Sequence, residues 1–193
     1  MRAAIVVLGL LLTGFAGFDA PIMLAQGGGA WKTIFDGKSL DGWMPIGNAN
    51  WKLADGAVEA NMGNGFLVSK DSYGDFELRA EFWADADANS GIFIRCSNPK
   101  EVTAMNAYEV NIFDKRPDQA YRTGAIVDVA KPSAMVNAAG KWNTLVITAK
   151  GPRMTVSLNG TQTVDVQHSA HARGPVALQY GAGVVKFRKV EVR

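Results

Sequence analysis

The sequence predicts an all-β fold, a two-sheet antiparallel β-sandwich. Three observations lead there: apolar residues recur with period two from Ala30 to Arg193, no long stretch keeps the 3.6-residue spacing of a helix, and turn signals separate about ten candidate strands. The two sheets would stack face to face around one apolar core.

The chain begins with a segment that does not belong to that fold. Arg2 precedes an almost unbroken apolar run from Ala3 to Leu12, and small residues follow around Gly14, Ala16 and Gly17. This is the order of a secretory signal peptide, so residues 1–26 are set aside, with cleavage after Ala16 or Ala25 and Pro21 opposing a cut after Ala20. A membrane span needs roughly twenty apolar residues; this run is about half that before Thr13 and Asp19 intervene, so no stable span is expected. The protein is expected to be exported, periplasmic or secreted. Gly27-Gly28-Gly29 is a short tether, and residues 30–193 read as one domain with no repeat and no internal linker.

The strands follow in order. Gly65 to Ser69 is the first clear one. In Asp75 to Trp83, Phe76, Leu78, Ala80 and Phe82 fall on one face and Glu77, Arg79, Glu81 and Trp83 on the other. Gly91 to Cys96, Tyr108 to Phe113, Gly124 to Val129 and Trp142 to Lys150 come next. Met154, Val156 and Leu158 then alternate with polar residues up to Asn159-Gly160, whose tolerance of positive φ suits a two-residue hairpin returning through Thr161 to Val166. Val176 to Tyr180 and Val184 to Val192 complete the series. Trp43 and Trp142 are expected to be packing residues, and Cys96 to join the core through the parity it shares with Ile92 and Ile94.

Composition narrows the function classes. With 48% apolar and 20% charged residues the chain is neither disordered nor a multi-span membrane protein. Its net charge is +2 and the cations are scattered, so nucleic acid is not an expected partner. The single cysteine closes no internal disulfide and supplies no thiolate metal site.

Strand parity locates the candidate chemistry. Phe93 and Arg95 leave the core face of their strand, and Glu109, Asn111 and Phe113 share the outward face of theirs. If the strands are neighbours, one surface carries a guanidinium, a carboxylate, an amide and two phenyl rings, which suits a sugar: rings take its C–H groups and polar side chains its hydroxyls. The same Glu109 read alone is a solvated strand carboxylate, and Arg95 an exposed ion pair with Glu81 or Glu109. Asp128 is either a turn residue before Lys131-Pro132 or a polar group at the end of the sheet. Glu109-x-Asn111-x-x-Asp114 is similar to the two-carboxylate strand of jelly-roll glycosidases. Its middle residue is an amide, however, and Asp114 has the wrong parity for the carboxyl spacing of about 5 Å that a retaining mechanism needs. His168 and His171, three apart in a polar stretch, read as loop residues rather than metal ligands.

Several segments in order carry a resemblance. Phe35-Asp-Gly-Lys-Ser-Leu-Asp-Gly-Trp43, Trp51 with Asp55-Gly56, Tyr73-Gly-Asp-Phe-Glu-Leu-Arg79, Asn89-Ser-Gly-Ile-Phe-Ile-Arg95, Tyr108-Glu-Val110, Thr123-Gly-Ala-Ile126 with Asp128, Gly140-Lys-Trp-Asn143, Leu158-Asn-Gly160 and Phe187-Arg188 together resemble the 3-keto-disaccharide hydrolase domain family. The resemblance implies a concanavalin-like jelly roll and an exported enzyme that cleaves 3-keto-glycosides by removing the proton on C2 and expelling the oxygen on C1. It implies Glu109 as base or acid, Arg95 as oxyanion or hydroxyl clamp and Asn111 as a positioning amide. Asp128 and Gln179 are further candidates, and Asn89, Ser90 and Phe93 would shape the groove. No cofactor is expected, and a divalent cation is possible but unsupported by any ligand cluster. Where many relatives carry Asp-His-Gly after the Gln that matches Gln179, this chain reads Tyr180-Gly181-Ala182. If that His is catalytic in relatives, this copy differs in mechanism or has lost catalysis; His168 could substitute only if its loop folds over the groove. The competing readings are a non-catalytic carbohydrate-binding module and an adhesive sandwich, the latter marked by a large exposed apolar patch.

Overall fold

Alternation of apolar and polar side chains puts one face of each strand against the other sheet, and the computed structural model, which describes residues 29–193, shows that face buried. The predicted export segment lies outside the described residues. The strands are β1 (Lys32–Phe35), β2 (Trp43–Gly47), β3 (Lys52–Ala54), β4 (Ala57–Ala60), β5 (Gly65–Tyr73), β6 (Phe76–Ala84), β7 (Ser90–Ile94), β8 (Tyr108–Ile112), β9 (Trp142–Lys150), β10 (Arg153–Leu158), β11 (Thr161–Gln167), β12 (Gly174–Tyr180) and β13 (Val185–Val192). One sheet runs β11-β10-β9-β6-β13-β4-β3, with β1 also paired to β13; the other runs β2-β5-β12-β7-β8. All named pairings are antiparallel. The all-β two-sheet prediction holds, and no helix of the described residues is long and apolar enough to cross a membrane.

Between the sheets lies the main core. Leu78, Ala80 and Phe82 of β6 meet Ile92 and Ile94 of β7, Tyr108, Val110 and Ile112 of β8, and Val176 and Leu178 of β12, all effectively sealed from water. The Asn159-Gly160 hairpin forms as expected, with φ of 52° and 82°. Its Asn159 side chain also accepts from the Thr144 amide, tying β9 to the turn.

Three departures have identifiable causes. Before Gly65, β1, β3 and β4 have only three or four residues and β2 carries Pro45 and Gly47, so period two does not register there. Gly124 to Val129 is not a strand; it runs beside β8 through Val127 N to Glu109 O (3.0 Å) and Asn111 N to Ala125 O (3.1 Å) and then turns. Both packing tryptophans have partners: Trp43 is buried and donates from Nε1 to Ile34 O, and Trp142 packs on the outer face of its sheet, 37% exposed, beneath the Arg188 guanidinium. Cys96 is buried on the opposite side of the sheet from Ile92 and Ile94, with Phe93, Val68, Val102 and Ala177. The residue before it, Arg95, has φ of 53°, and one left-handed residue ends strand alternation, so everything after it changes face.

Candidate active site

The outward face of β12, β7 and β8 holds the site. Ala177 pairs with Phe93 on β7, and Phe93 pairs with Glu109 on β8. One pair further along, Gly91 stands opposite Asn111, and the β12 register carried on by two residues brings Gln179 to the other flank of Gly91. Ile92 and Val110 alternate inward. Glycine in a strand interior marks a place where something else needs room. Here it is the Glu109 side chain together with the Val110 carbonyl: a Cβ on Gly91 would stand 3.2 Å from Val110 O, 3.3 Å from Glu109 Cγ and 3.4 Å from Oε1.

Polar groups around this floor are incompletely paired. Asn111 is fully buried; its Nδ2 donates to Tyr121 O at 2.5 Å, while Oδ1 has no donor among the described residues. Gln179 Oε1 is likewise buried without a partner. Buried polar atoms are almost always satisfied, so two orphans beside one glycine mark a place built for a ligand or for water. Glu109 is 8% exposed. Burial pushes its pKa up from 4.5 to about 7, the positive charge of Arg116 opposes the rise, and the negative charge of Asp128 adds to it. A carboxyl poised near neutrality can take or give a proton at physiological pH.

The predicted residues therefore divide. Glu109, Asn111, Gln179 and Asn89 share this face, but Arg95 does not. Its left-handed backbone swings the side chain to one end of the sandwich. There Nε donates to Gly74 O (2.9 Å), Nη1 to Gly151 O (2.8 Å) and His171 O (3.3 Å), and Nη2 to Asp75 Oδ1 (3.1 Å). Arg95 is a buried clamp on three loops, and neither Glu81 nor Glu109 is its partner. Ser90 also departs from expectation: it faces inward and its hydroxyl donates to Gln179 O, so it does not shape a rim. Phe93 is 2% exposed, edge-on to Phe66 at 5.3 Å, and the half-buried ring on the surface is Phe66. Asp128 is a turn residue, exposed with φ of 59°. It acts on Glu109 through its charge. Asp114 accepts from Thr123 Oγ1 and from the amides of Ala138 and Ala139, away from Glu109 as its parity required.

Histidine is absent from the site, since both of the chain's histidines lie elsewhere. His168 Nδ1 and O are each 3.0 Å from the Tyr108 hydroxyl, which also accepts from His171 N. Tyr108 belongs to the core face of β8, so this loop does not fold over the groove. At the Tyr180 to Gly183 turn, the Asn89 carbonyl accepts from Gly181 N and Ala182 N, and the Asn89 amide lies 3.2 Å from where a Cβ at 181 would stand. Among the described residues no three His, Cys, Asp or Glu side chains gather as a metal site.

Sequence reasoning missed Arg116, Gly91 and Tyr121. Arg116, half-buried in the loop after β8, makes no salt bridge among the described residues, yet its charge reaches Glu109. A loop position has no parity, so nothing in the sequence pointed to it. Gly91 did carry a signal, as the one residue without a side chain on an alternating apolar strand.

Comparisons with known proteins agree with this architecture. The sequence profile of the 3-keto-alpha-glucoside-1,2-lyase-like domain matches residues 30–193. A candidate glycosyl hydrolase from Parabacteroides distasonis superposes with a TM-score of 0.71, at 24% identity over 86% of this chain and 99% of that one. A carbohydrate-binding module from Bacillus subtilis superposes with a TM-score of 0.62, at 19% identity over 77% and 93%. A Bacillus subtilis protein of galectin-like fold does so with a TM-score of 0.62, at 10% identity over 85% and 94%. At these identities the likeness establishes a shared jelly-roll sandwich. No curated protein matches the chain in sequence.

Proposed function

The chain belongs, from residue 30 to 193, to the 3-keto-alpha-glucoside-1,2-lyase-like domain family, and from that premise we propose that it cleaves 3-keto-glycosides between C1 and the glycosidic oxygen. The observation that carries this reading is the buried Glu109 carboxyl, held near neutral pKa over the Gly91 floor between two amides whose oxygens have no donor among the described residues.

The chemistry follows from the ketone. A carbonyl at C3 acidifies the hydrogen on C2. The Glu109 carboxylate takes that proton, the C–H electrons move into a C2–C3 enolate, and collapse of the enolate forms the C1–C2 double bond as the C1–O bond breaks. The departing oxygen receives a proton, for which protonated Glu109 is the available acid. Water adding to the enone afterwards would give net hydrolysis. Two carboxylates 5 Å apart are not needed for elimination, unlike displacement at C1. The developing oxyanion at C3 needs a positive group, and Arg116 takes the role that the family resemblance had implied for Arg95. Asn111 and Gln179 hold hydroxyls, and Asp128 keeps Glu109 from ionising too readily. The apolar run of residues 3–12 supports action outside the cytoplasm.

The test is to incubate the protein with a 3-keto-glucoside and follow aglycone release and the ultraviolet absorbance of the conjugated enone. Activity lost in Glu109→Gln with the fold intact supports the assignment, and full activity in that variant overturns it. The carbohydrate-binding module of the same architecture favours a second reading, sugar binding without reaction. That reading predicts saturable binding of the keto-glucoside and no released aglycone.

A further inference from the structure

Of the polar groups at the site, Asn111 is the one whose hydrogen-bonding sign is settled by its surroundings. Its Nδ2 donates to the Tyr121 carbonyl; a flipped amide would set oxygen against oxygen. The free end is therefore Oδ1, an acceptor, on a fully buried residue with no donor among the described residues. Gln179 has no side-chain hydrogen bond among the described residues, so its amide can turn either way and fixes neither a donor nor an acceptor on the ligand. Whatever reaches Asn111 must bring a hydrogen. A ketone oxygen cannot, and neither can an ether or a glycosidic oxygen.

Spacing says where that hydrogen sits on a ligand. Glu109 and Asn111 are two residues apart on one strand face, about 7 Å along the strand, close to the width of one pyranose ring with its substituents. A ring with its acidic C–H at Glu109 thus carries one of the hydroxyls flanking the ketone to Asn111. We infer that Asn111 Oδ1 is a specificity filter for a free hydroxyl beside the ketone, so that the site accepts an unsubstituted terminal ring and rejects one in which that hydroxyl is etherified or part of a further linkage. The identity of the ring rests on the proposed function; the demand for a donor rests on the amide alone.

The experiment uses methyl 3-keto-glucoside and its 2-O-, 4-O- and 6-O-methyl ethers, each titrated calorimetrically against the Glu109→Gln protein and assayed for cleavage with the unmutated one. One of the 2-O- and 4-O-ethers should bind about 10- to 100-fold more weakly than the parent, the range expected when a buried acceptor is left unpaired, and the 6-O-ether should bind like the parent. In Asn111→Leu the difference between that ether and the parent should shrink to within about twofold; the ether series on protein with Asn111 intact decides the question if this variant does not fold. Equal binding of all ethers, or no binding of any, overturns the inference. Discrimination without aglycone release would support it while refuting the proposed reaction, and rapid cleavage of both flanking ethers would refute it while leaving that reaction standing.

Discussion

Replacing Glu109 by Gln should make the protein more stable at alkaline pH while removing its activity. In the folded chain, burial holds the Glu109 carboxyl at about 7 against an ordinary 4.5, and the side chain is 8% exposed, so solvent screens little of the effect. A raised carboxylate pKa means that the folded state keeps a proton the unfolded chain has released. Stability contributed by this group is complete below about pH 4.5, declines as pH rises toward about 7, and is flat beyond. At about 1.4 kcal/mol per pH unit the loss totals about 3 kcal/mol. Gln is nearly isosteric and does not ionise, so the variant should match the unmutated protein at pH 4 and exceed it by up to about 3 kcal/mol at pH 8. For a domain of this size that is on the order of 6 to 12 °C in Tm. Guanidinium denaturation of both proteins from pH 4 to 9 isolates the group, because every other titration cancels in the difference. Parallel stability curves, or a variant that loses ground as pH rises, would refute the reasoning.

The same electrostatics fixes the activity profile. If Glu109 acts as the base, kcat/KM should rise with pH through about 7, and a falling limb there would make it the acid. Arg116→Gln removes the cation that opposes the shift, so the rising limb should move to higher pH and kcat should fall, as read from pH-rate profiles of the two proteins. Gly91→Ala sets a methyl 3.3 Å from Glu109 Cγ and 3.2 Å from Val110 O; we expect at least about a tenfold loss of kcat/KM with a melting temperature close to that of the unmutated protein, and unchanged kinetics would show that the carboxyl does not work from that position. Arg95→Met leaves three carbonyls and Asp75 without their buried donor and should cost on the order of 3 kcal/mol of stability, while kcat per folded molecule, normalised by active-site titration or circular dichroism, stays the same.

The strands that the sequence made legible were those long enough for alternation to repeat. β6 buries Phe76, Leu78, Ala80 and Phe82 as its parity requires, and the Asn159-Gly160 turn needs only its own two residues to specify its geometry. Three- and four-residue β1, β3 and β4 left no such trace, and neither did β2 with its Pro45 and Gly47. Glu109 and Asn111 were found because they sit inside one regular strand, where facing is a local property. Arg95 was misplaced because it lies one residue past the end of β7 and takes φ of 53°, which parity cannot foresee; the same departure moved Cys96 to the other side.

Pattern alone therefore determined the fold class, the hairpins and which side chains of a strand share a face, because those depend on backbone geometry over neighbouring residues. Only the tertiary structure decided that β7 lies between β12 and β8, so that Gln179 and Asn111 flank one glycine. It also decided that the loop after β8 brings Arg116 within electrostatic reach of Glu109, and that the carboxyl is dry enough to titrate near 7. Proximity and dehydration are set by atoms that come together across long stretches of chain, and no local periodicity encodes them.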